Sequence, residues 1–198
     1  MDIWSYKIRR DYGFAPNPFQ GFCTLACCKP GIRKGAKTGD LIFGFGSAAL
    51  KMRGRLIFAM RVSETMTFDQ YWADGRFARR RPAFTAGISR SYGDNIYHHV
   101  NGAWVQEDSH HSLPGGLWNA ANADRDLSVD RVLVSTDFAY WGRTASDIPE
   151  HLKNHNGENL FADVRDYRRD YSVEFKEIVT DWFGQLPKGR FGRPASWR

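Results

Sequence analysis

The sequence predicts an α+β protein with a mixed or barrel-like β-sheet, a few short helices and a C-terminal amphipathic helix. Three observations lead to this class. Several apolar runs have the length and alternation of β-strands. An Asn-Gly pair joins two alternating runs, as in a tight hairpin. Apolar residues recur at a sustained helical spacing only near the end of the chain.

The N-terminal half reads mainly as strands. The run "IWSYKI" (3–8) alternates, "GDLIFGFGS" (39–47) places a turn before a short buried strand, and "RLIFAMRV" (55–62) has the continuous apolar character of a core strand. Thr67 and Gln70 have the spacing of a capping box, so a short helix follows and ends near Gly75. The glycines of "GFGS" (44–47) favour a close backbone approach, with a phosphate-binding turn that includes Ser47 as the alternative.

The C-terminal half contains the clearest local signal. In "NIYHHVNGAWVQ" (95–106), Asn101-Gly102 predicts a type I′ hairpin that pairs Val100 with Ala103 and His99 with Trp104. The run "DRVLVSTDFAYWG" (130–142) predicts one further strand, and Pro149 marks a helix start. Apolar spacing predicts an amphipathic closing helix over 171–183.

Length and composition limit the possible classes. A chain of 198 residues favours one domain, which we place at 1–183, followed by a basic and flexible tail at 184–198. Hydrophobic content of 42% excludes a disordered chain, and no run approaches the roughly 20 apolar residues of a membrane span. The first residues lack the pattern of a signal peptide, so we expect a cytoplasmic protein without membrane contact.

Charge leaves two interpretations open. The net charge of +6 is concentrated in two basic clusters, which indicate either a nucleic-acid surface or a solvated face plus a disordered tail. The cluster residues are Arg76, Arg79, Arg80 and Arg81, and in the tail Lys188, Arg190, Arg193 and Arg198.

The segment "RRDYGFAPNPFQGFCTLACCKP" (9–30) predicts a stiff loop. Residues before proline are biased to extended conformations, and the phenylalanines can anchor the loop to the core. Its three cysteines lack a C-x-x-C spacing, which favours small buried residues over a zinc site. The hypothesis of a nucleophilic cysteine with His99 as its base stays open, although the sequence gives it no specific support.

The histidines do not form a metal motif. Successive side chains of a strand point to opposite faces, so His98 and His99 cannot share one ion. We expect His98 to be a hydrogen-bonded core histidine and His99 to lie with Tyr97 and Trp104 on the other face. His110 and His111 fall in a polar loop and are expected to be solvated. The sequence indicates no metal and leaves any cofactor unknown.

Four stretches together resemble a known family. They are "GFAPNPFQGFCTLACCKPGIR", "GDLIFGFGS", "SYGDNIYHH" and "RVLVSTDFAYWG", and they are similar to the nucleotide modification associated domain family of the second type. The resemblance implies a phage or bacterial protein associated with DNA base hypermodification, with no defined reaction. A strand opening at Gly39-Asp40 is also similar to PUA-like domains such as EVE and ASCH, small β-barrels that bind RNA or modified DNA bases.

These observations lead to a hypothesis of nucleotide or modified-base recognition, with DNA the favoured partner. Aromatic rings would stack on a base, Asp and Asn would read its edges, and basic residues would contact phosphate. The candidate binding residues are Arg9, Arg10, Asn17, Phe19, Lys29, Arg33, Ser47, Tyr92, Asn95, Tyr97, Trp104 and Trp118. The alternative is a metal-independent enzyme that transfers a group to a base or nucleotide, with Asp11, Asp94 and His99 as catalytic candidates. A phage-defence nuclease is a second alternative, although the chain lacks a run of carboxylates for two metal ions.

Overall fold

The computed structural model describes residues 1–161 and 163–197 of the chain. It confirms the α+β class, but the sheets are open, so the barrel-like alternative is wrong. The chain divides into two compact units. The first contains Met1–Tyr12, Ala36–Ser63 and the segment that begins at Ser135; the second contains Gly13–Gly35 and Glu64–Val134. A single domain over 1–183 remains a prediction.

The first unit is built on a five-stranded sheet. Its strands are β1 (Ile3–Ile8), β3 (Leu41–Gly46), β4 (Leu56–Arg61), β9 (Asp137–Tyr140) and β10 (Gly189–Arg190), in the order β1-β3-β4-β9-β10. β1 pairs with β3 in parallel and β9 with β10 in parallel, whereas β4 runs antiparallel to both neighbours.

Among its described residues, the first unit also has two α-helices, α5 (Glu150–Lys153) and α6 (Val173–Gln185). Ser172 caps α6, because its Oγ accepts a hydrogen bond from the Phe175 amide at 3.2 Å. Phe175, Val179 and Phe183 fall on one face and are fully buried against the sheet core. The amphipathic helix predicted for 171–183 is therefore confirmed, shifted by two residues.

The second unit combines a small sheet, a hairpin and four short helices. The three-stranded sheet has the order β2 (Cys23–Leu25), β8 (Val132–Ser135), β5 (Glu64–Met66). The hairpin consists of β6 (Tyr97–Val100) and β7 (Ala103–Gln106). The helices are α1 (Pro30–Gly35), α2 (Phe68–Ala73), α3 (Ile88–Ser91) and α4 (Ala120–Leu127).

The local signals with the most specific chemistry are confirmed. Thr67 and Gln70 form both hydrogen bonds of a capping box at the start of α2. The hairpin pairs Val100 with Ala103 and His99 with Trp104. Asn101 and Gly102 have φ angles of 52° and 79°, the left-handed values that a type I′ turn requires.

Two long-range expectations differ from the structure. The run 130–142 forms two strands in different sheets, because the chain leaves β8 at Thr136, whose amide donates to Ser63 Oγ at 3.0 Å. Beyond α6, where a flexible tail was expected, β10 pairs with β9 and the Trp197 indole donates to the Tyr12 carbonyl at 2.8 Å. Arg198, assigned to that tail, lies outside the described residues. In the described part of the chain, no helix combines the length and apolarity needed to span a membrane.

The glycine at position 44 lies where the backbone of β3 meets a neighbouring ring. A Cβ atom there would come within 2.1 Å of Phe58 Cε1 and within 2.7 Å of Ile8 Cδ1. This is the close approach that the "GFGS" pattern favoured over a phosphate-binding turn.

We predict that Gly44→Ala lowers the free energy of unfolding by about 1–3 kcal/mol, because the core must shift to admit the methyl group. Gly184→Ala is the matched control: it lies in α6 with no atom within 4 Å of its Cβ position, and a gain of about 0.5–1 kcal/mol is expected from helix propensity. Urea unfolding measures both variants. Equal stability of Gly44→Ala and the wild type would contradict the packing argument.

Candidate functional site

The strongest candidate site begins at the turn between β2 and α1. Cys28 and Lys29 have φ angles of 61° and 43°, which are uncommon for residues other than glycine. Arg33, fully buried on α1, holds this turn: its Nε donates to the Cys28 carbonyl at 2.9 Å, and its Nη1 donates to the carbonyls of Val129 and Arg131 at 2.7 Å each. The Cys28 backbone is therefore held by a buried guanidinium.

Cys28, His111 and Asp126 form a chain of contacts that we call the Cys28 site. The Cys28 Sγ lies 3.7 Å from His111 Nε2, and His111 Nδ1 lies 2.6 Å from Asp126 Oδ2. The Asp126 Oδ1 also accepts the Cys28 backbone N–H at 2.8 Å. Cys23 and Cys27 are fully buried, whereas Cys28 is only half-buried. The three side chains have the order thiol, imidazole, carboxylate.

Several neighbouring groups fix the imidazole in place. Asn122 Nδ2 donates to the His111 carbonyl at 2.9 Å, and Gln106 Nε2 donates to the same oxygen at 3.3 Å. The Phe14 ring packs on the His111 ring with centroids 4.5 Å apart. His111 is consequently buried, and the expectation that it is solvated is wrong.

The electrostatics of the site favour a charged imidazole. Burial lowers the pKa of His111, but the hydrogen bonds to Asp126 and Cys28 outweigh it and raise the pKa to about 9. Burial also raises the pKa of Asp126, whereas the contact with His111 and the amide of Cys28 hold it below its usual value. Near neutral pH, His111 is therefore an imidazolium beside an ionised carboxylate.

The cleft next to this site has the size of a small-ligand pocket. It is a shallow, open depression of about 420 Å³, lined by Phe84, Asp108, Ser109, His110, Ser112, Leu113 and Pro114; we call it the Phe84 cleft. The rings of Phe14 and Tyr92 pack on His110 with centroids 5.4 Å and 5.1 Å away. The cleft thus combines exposed apolar side chains with a carboxylate and a serine, on the loop that also carries His111.

Cys27, His111 and Asp126 offer three potential metal-ligand atoms within 4.8 Å of one another. Burial raises the pKa of the Cys27 thiol well above its usual value and favours its protonated form, so a metal ion here would have to displace that proton. The bond between His111 and Asp126 also engages both partners.

Three of the residues predicted to bind a base or to catalyse, Asn17, Phe19 and Asp94, are part of a buried network around Arg80. Asp94 accepts hydrogen bonds from Tyr71 Oη at 2.9 Å and from Thr24 Oγ1, and lies 3.6 Å from Arg80 Nη1. Arg80 also donates to the carbonyls of Asn17, Phe19 and Phe22. Asp94, Asn17 and Phe19 are all buried, so their polar groups hold the loop together.

The other predicted residues of the second unit do not share one environment, and Asn95 joins the same buried network. Asn95 Nδ2 donates to the Tyr71 carbonyl at 2.9 Å, and Tyr97 Oη lies 3.3 Å from Asp126 Oδ2. Trp104 packs on the His99 ring at 3.7 Å, and His99 Nδ1 lies 2.8 Å from Asp69 Oδ2 rather than near a cysteine. Lys29 and Tyr92 are half-buried and Trp118 is exposed. His98 is buried and stacks on Trp72, as expected.

The first unit contains the remaining four predicted site residues. Asp11 is buried, its two carboxylate oxygens share the hydroxyl of Tyr140 at 2.7 and 2.8 Å, and Oδ2 accepts the Ala195 amide at 2.8 Å. Ser47 is buried, whereas Arg9 and Arg10 are exposed. The structure therefore gives Asp11, Asp94 and His99 three different sets of partners, and their catalytic role remains a prediction.

Sequence reasoning missed His111, Asp126 and the role of Cys28. His111 follows Cys28 by 83 residues and Asp126 follows it by 98, so no local spacing connects them. The available signal was a cysteine at a turn that enters a helix through Pro30, together with unassigned histidines.

The fold and the site define an α+β protein with a thiol–imidazole–carboxylate cluster beside a small cleft. The chain belongs to the nucleotide modification associated domain 2 family, whose model matches residues 1–198. This membership confirms the family expected from the four stretches and indicates a role in nucleotide modification. Comparisons with curated proteins and with solved structures found no match.

We predict that Asp94→Ala lowers the free energy of unfolding by about 3–5 kcal/mol, because it leaves the buried Arg80 guanidinium without its carboxylate. Asp124→Ala, on the exposed face of α4, is the control and should stay within about 0.5 kcal/mol of the wild type. Denaturant unfolding compares the two. A stable Asp94→Ala variant would show that the network is dispensable.

We also predict a pH-dependent contribution of His111 to stability. Because folding raises its pKa from 6.5 to about 9, the contribution is complete below about pH 6.5 and is lost as the pH rises through about 9, a total of roughly 3 kcal/mol. The measurement is the difference in unfolding free energy between wild type and His111→Gln at about pH 6 and about pH 10. A difference that does not change with pH would refute the raised pKa.

Proposed function

We propose that the chain recognises a nucleotide, through its base, during nucleotide modification. The observation that carries the proposal is the Phe84 cleft. Its volume of about 420 Å³ lies within the roughly 300–1,000 Å³ of small-molecule sites. Family membership supports a nucleotide as the ligand class.

The walls of the cleft fit a base. Phe84 and Leu113 are exposed by 55% and 45%, so an apolar surface is available for the face of a ring. Asp108 and Ser109 supply an acceptor and a hydroxyl at its edge. Asp108 Oδ1 accepts a hydrogen bond from Ser112 Oγ at 3.0 Å, which orients the carboxylate. Stacking with edge contacts is the usual means of reading an unpaired base.

This proposal changes the residues assigned to base recognition. Asn17, Asp94 and Asn95 donate or accept within the buried network, and the Arg33 guanidinium is bonded to backbone carbonyls. Phosphate contacts by Arg9, Arg10 and Lys29 remain a prediction, as do DNA as the substrate, the phage or bacterial context and the cytoplasmic location.

The enzymatic alternative is favoured by a separate observation, the Cys28 site. The nuclease alternative has weaker support. Within the described residues, the one group of three or more potential metal ligands contains a single carboxylate, whereas two-metal nucleases use clustered carboxylates.

We predict that Phe84→Ala weakens binding of a deoxynucleoside monophosphate about tenfold, because a stacked aromatic contributes about 1–3 kcal/mol per base. Ile88→Ala removes an equally exposed side chain that does not line the cleft, and it should leave the dissociation constant unchanged. Titration calorimetry at low salt with the four deoxynucleotides and with modified-base oligonucleotides provides the measurement. Absence of binding to every probe would eliminate the proposal, and equal losses in both variants would exclude the cleft.

A further inference from the structure

We propose that Cys28 is a catalytic nucleophile, with His111 as its acid–base partner and Asp126 as the residue that orients His111. The reaction class is acyl transfer from a carboxylic amide or ester. This activity goes beyond ligand recognition and does not depend on which base the Phe84 cleft accepts.

The geometry carries the proposal. Thiol catalysis requires the nucleophile and base within hydrogen-bond reach, with the base oriented by a third group. The Sγ to Nε2 distance of 3.7 Å satisfies the first requirement, since such contacts are often long before substrate binds. The Nδ1 to Oδ2 distance of 2.6 Å satisfies the second and presents Nε2 to the sulfur.

The carboxylate has the donors that a buried charge needs. Asp126 is fully buried, and its oxygens contact the Cys28 amide at 2.8 Å, His111 Nδ1 at 2.6 Å, Tyr97 Oη at 3.3 Å and Arg125 Nε at 3.5 Å. Asp126 therefore binds the backbone of the nucleophile and the ring of the base with the same side chain. This shared side chain fixes the position of the His111 ring relative to the Cys28 backbone.

The backbone at Cys28 gives an independent argument. A cysteine at a φ of 61° is uncommon and costs free energy, and such outliers concentrate at active sites. Arg33 holds this conformation through the Cys28 carbonyl. The neighbouring Cys27 has none of these features: it is fully buried, and its Sγ contacts the Asp94 carbonyl at 3.7 Å.

The proposed step balances without a further oxidant or reductant. The Cys28 thiolate attacks the acyl carbon, a C–S bond forms, and the bond from that carbon to nitrogen or oxygen breaks. His111 Nε2 donates its proton to the leaving amine or alcohol. Water or an acceptor amine then attacks the thioester and gives its proton to His111, and the thiolate is released.

The pH at which the His111 ring ionises depends on all the titratable groups that face it. Asp126 and Cys28 contact the ring, and the His110 ring centroid lies 5.8 Å away. The remaining charged or titratable groups around the carboxylate and the two cysteines are Cys27, Arg33, Asp94, Tyr97 and Arg125.

The first experiment measures alkylation of the full chain by iodoacetamide at about pH 6, with peptide mass spectrometry to identify the modified cysteine. We expect Cys28 to react at least about tenfold faster than N-acetylcysteine, because the His111 ring lies 3.7 Å from its Sγ in the arrangement that activates a cysteine nucleophile, while Cys23 and Cys27 stay unmodified. His111→Gln should lose this advantage, and Cys27→Ala should retain it. Reaction of Cys28 at the rate of the free thiol would overturn the proposal.

The Asp126→Asn variant tests orientation. We expect the alkylation rate of Cys28 to fall at about pH 6 and to recover at about pH 9, where the free thiol ionises on its own. A loss that is the same at both values would indicate a structural role alone. If the variants do not fold, the wild-type rate across this range, compared with N-acetylcysteine, decides the question.

The second experiment tests the substrate class with p-nitrophenyl acetate. We expect a burst of p-nitrophenol and an acetyl group on Cys28, followed by hydrolysis that is slower in His111→Gln. Absence of acetyl-Cys28 would overturn acyl transfer, and stoichiometric zinc bound at Cys27, His111 and Asp126 would overturn the nucleophile itself. No nucleotide is present in either assay, so a failure here is distinct from a failure of nucleotide recognition.

Discussion

The arrangement of the second unit depends on one buried carboxylate. Asp126 is fully buried on α4, and a charge removed from water must be surrounded by donors. Its donors come from the turn after β2, from the hairpin and from the loop before α4, through Cys28, Tyr97 and His111. Satisfying Asp126 therefore brings together segments that are far apart in the sequence and places the thiol next to the imidazole.

Two buried guanidinium groups also hold distant segments together through hydrogen bonds. Arg33 and Arg80 each donate to several backbone carbonyls of irregular segments. Each removes a cation from the protein surface, so a simple count of basic residues overstates the charge available for phosphate. Arg80 bonds the segment 9–30, whose prolines and phenylalanines predict a stiff loop, through the Asn17 and Phe19 carbonyls.

Recognition and chemistry share one loop in this picture. Residues 108–114 line most of the Phe84 cleft, and His111 lies within the same stretch. A ligand in the cleft would thus contact the loop that carries the proposed acid–base group. Membership in the nucleotide modification associated domain 2 family is compatible with both proposed roles.

The sequence by itself determined the elements whose signals are local. The hairpin at Asn101-Gly102, the capping box at Thr67 and the strand at 3–8 all depend on neighbours within a few residues, so dihedral preference and periodicity were sufficient. The tertiary structure decided the division of 130–142 between two sheets and the burial of Asp94. It also decided the approach of Cys28 to His111, across 83 residues. Such contacts arise because buried charges must find donors anywhere in the chain, and no local pattern encodes which donor is reached.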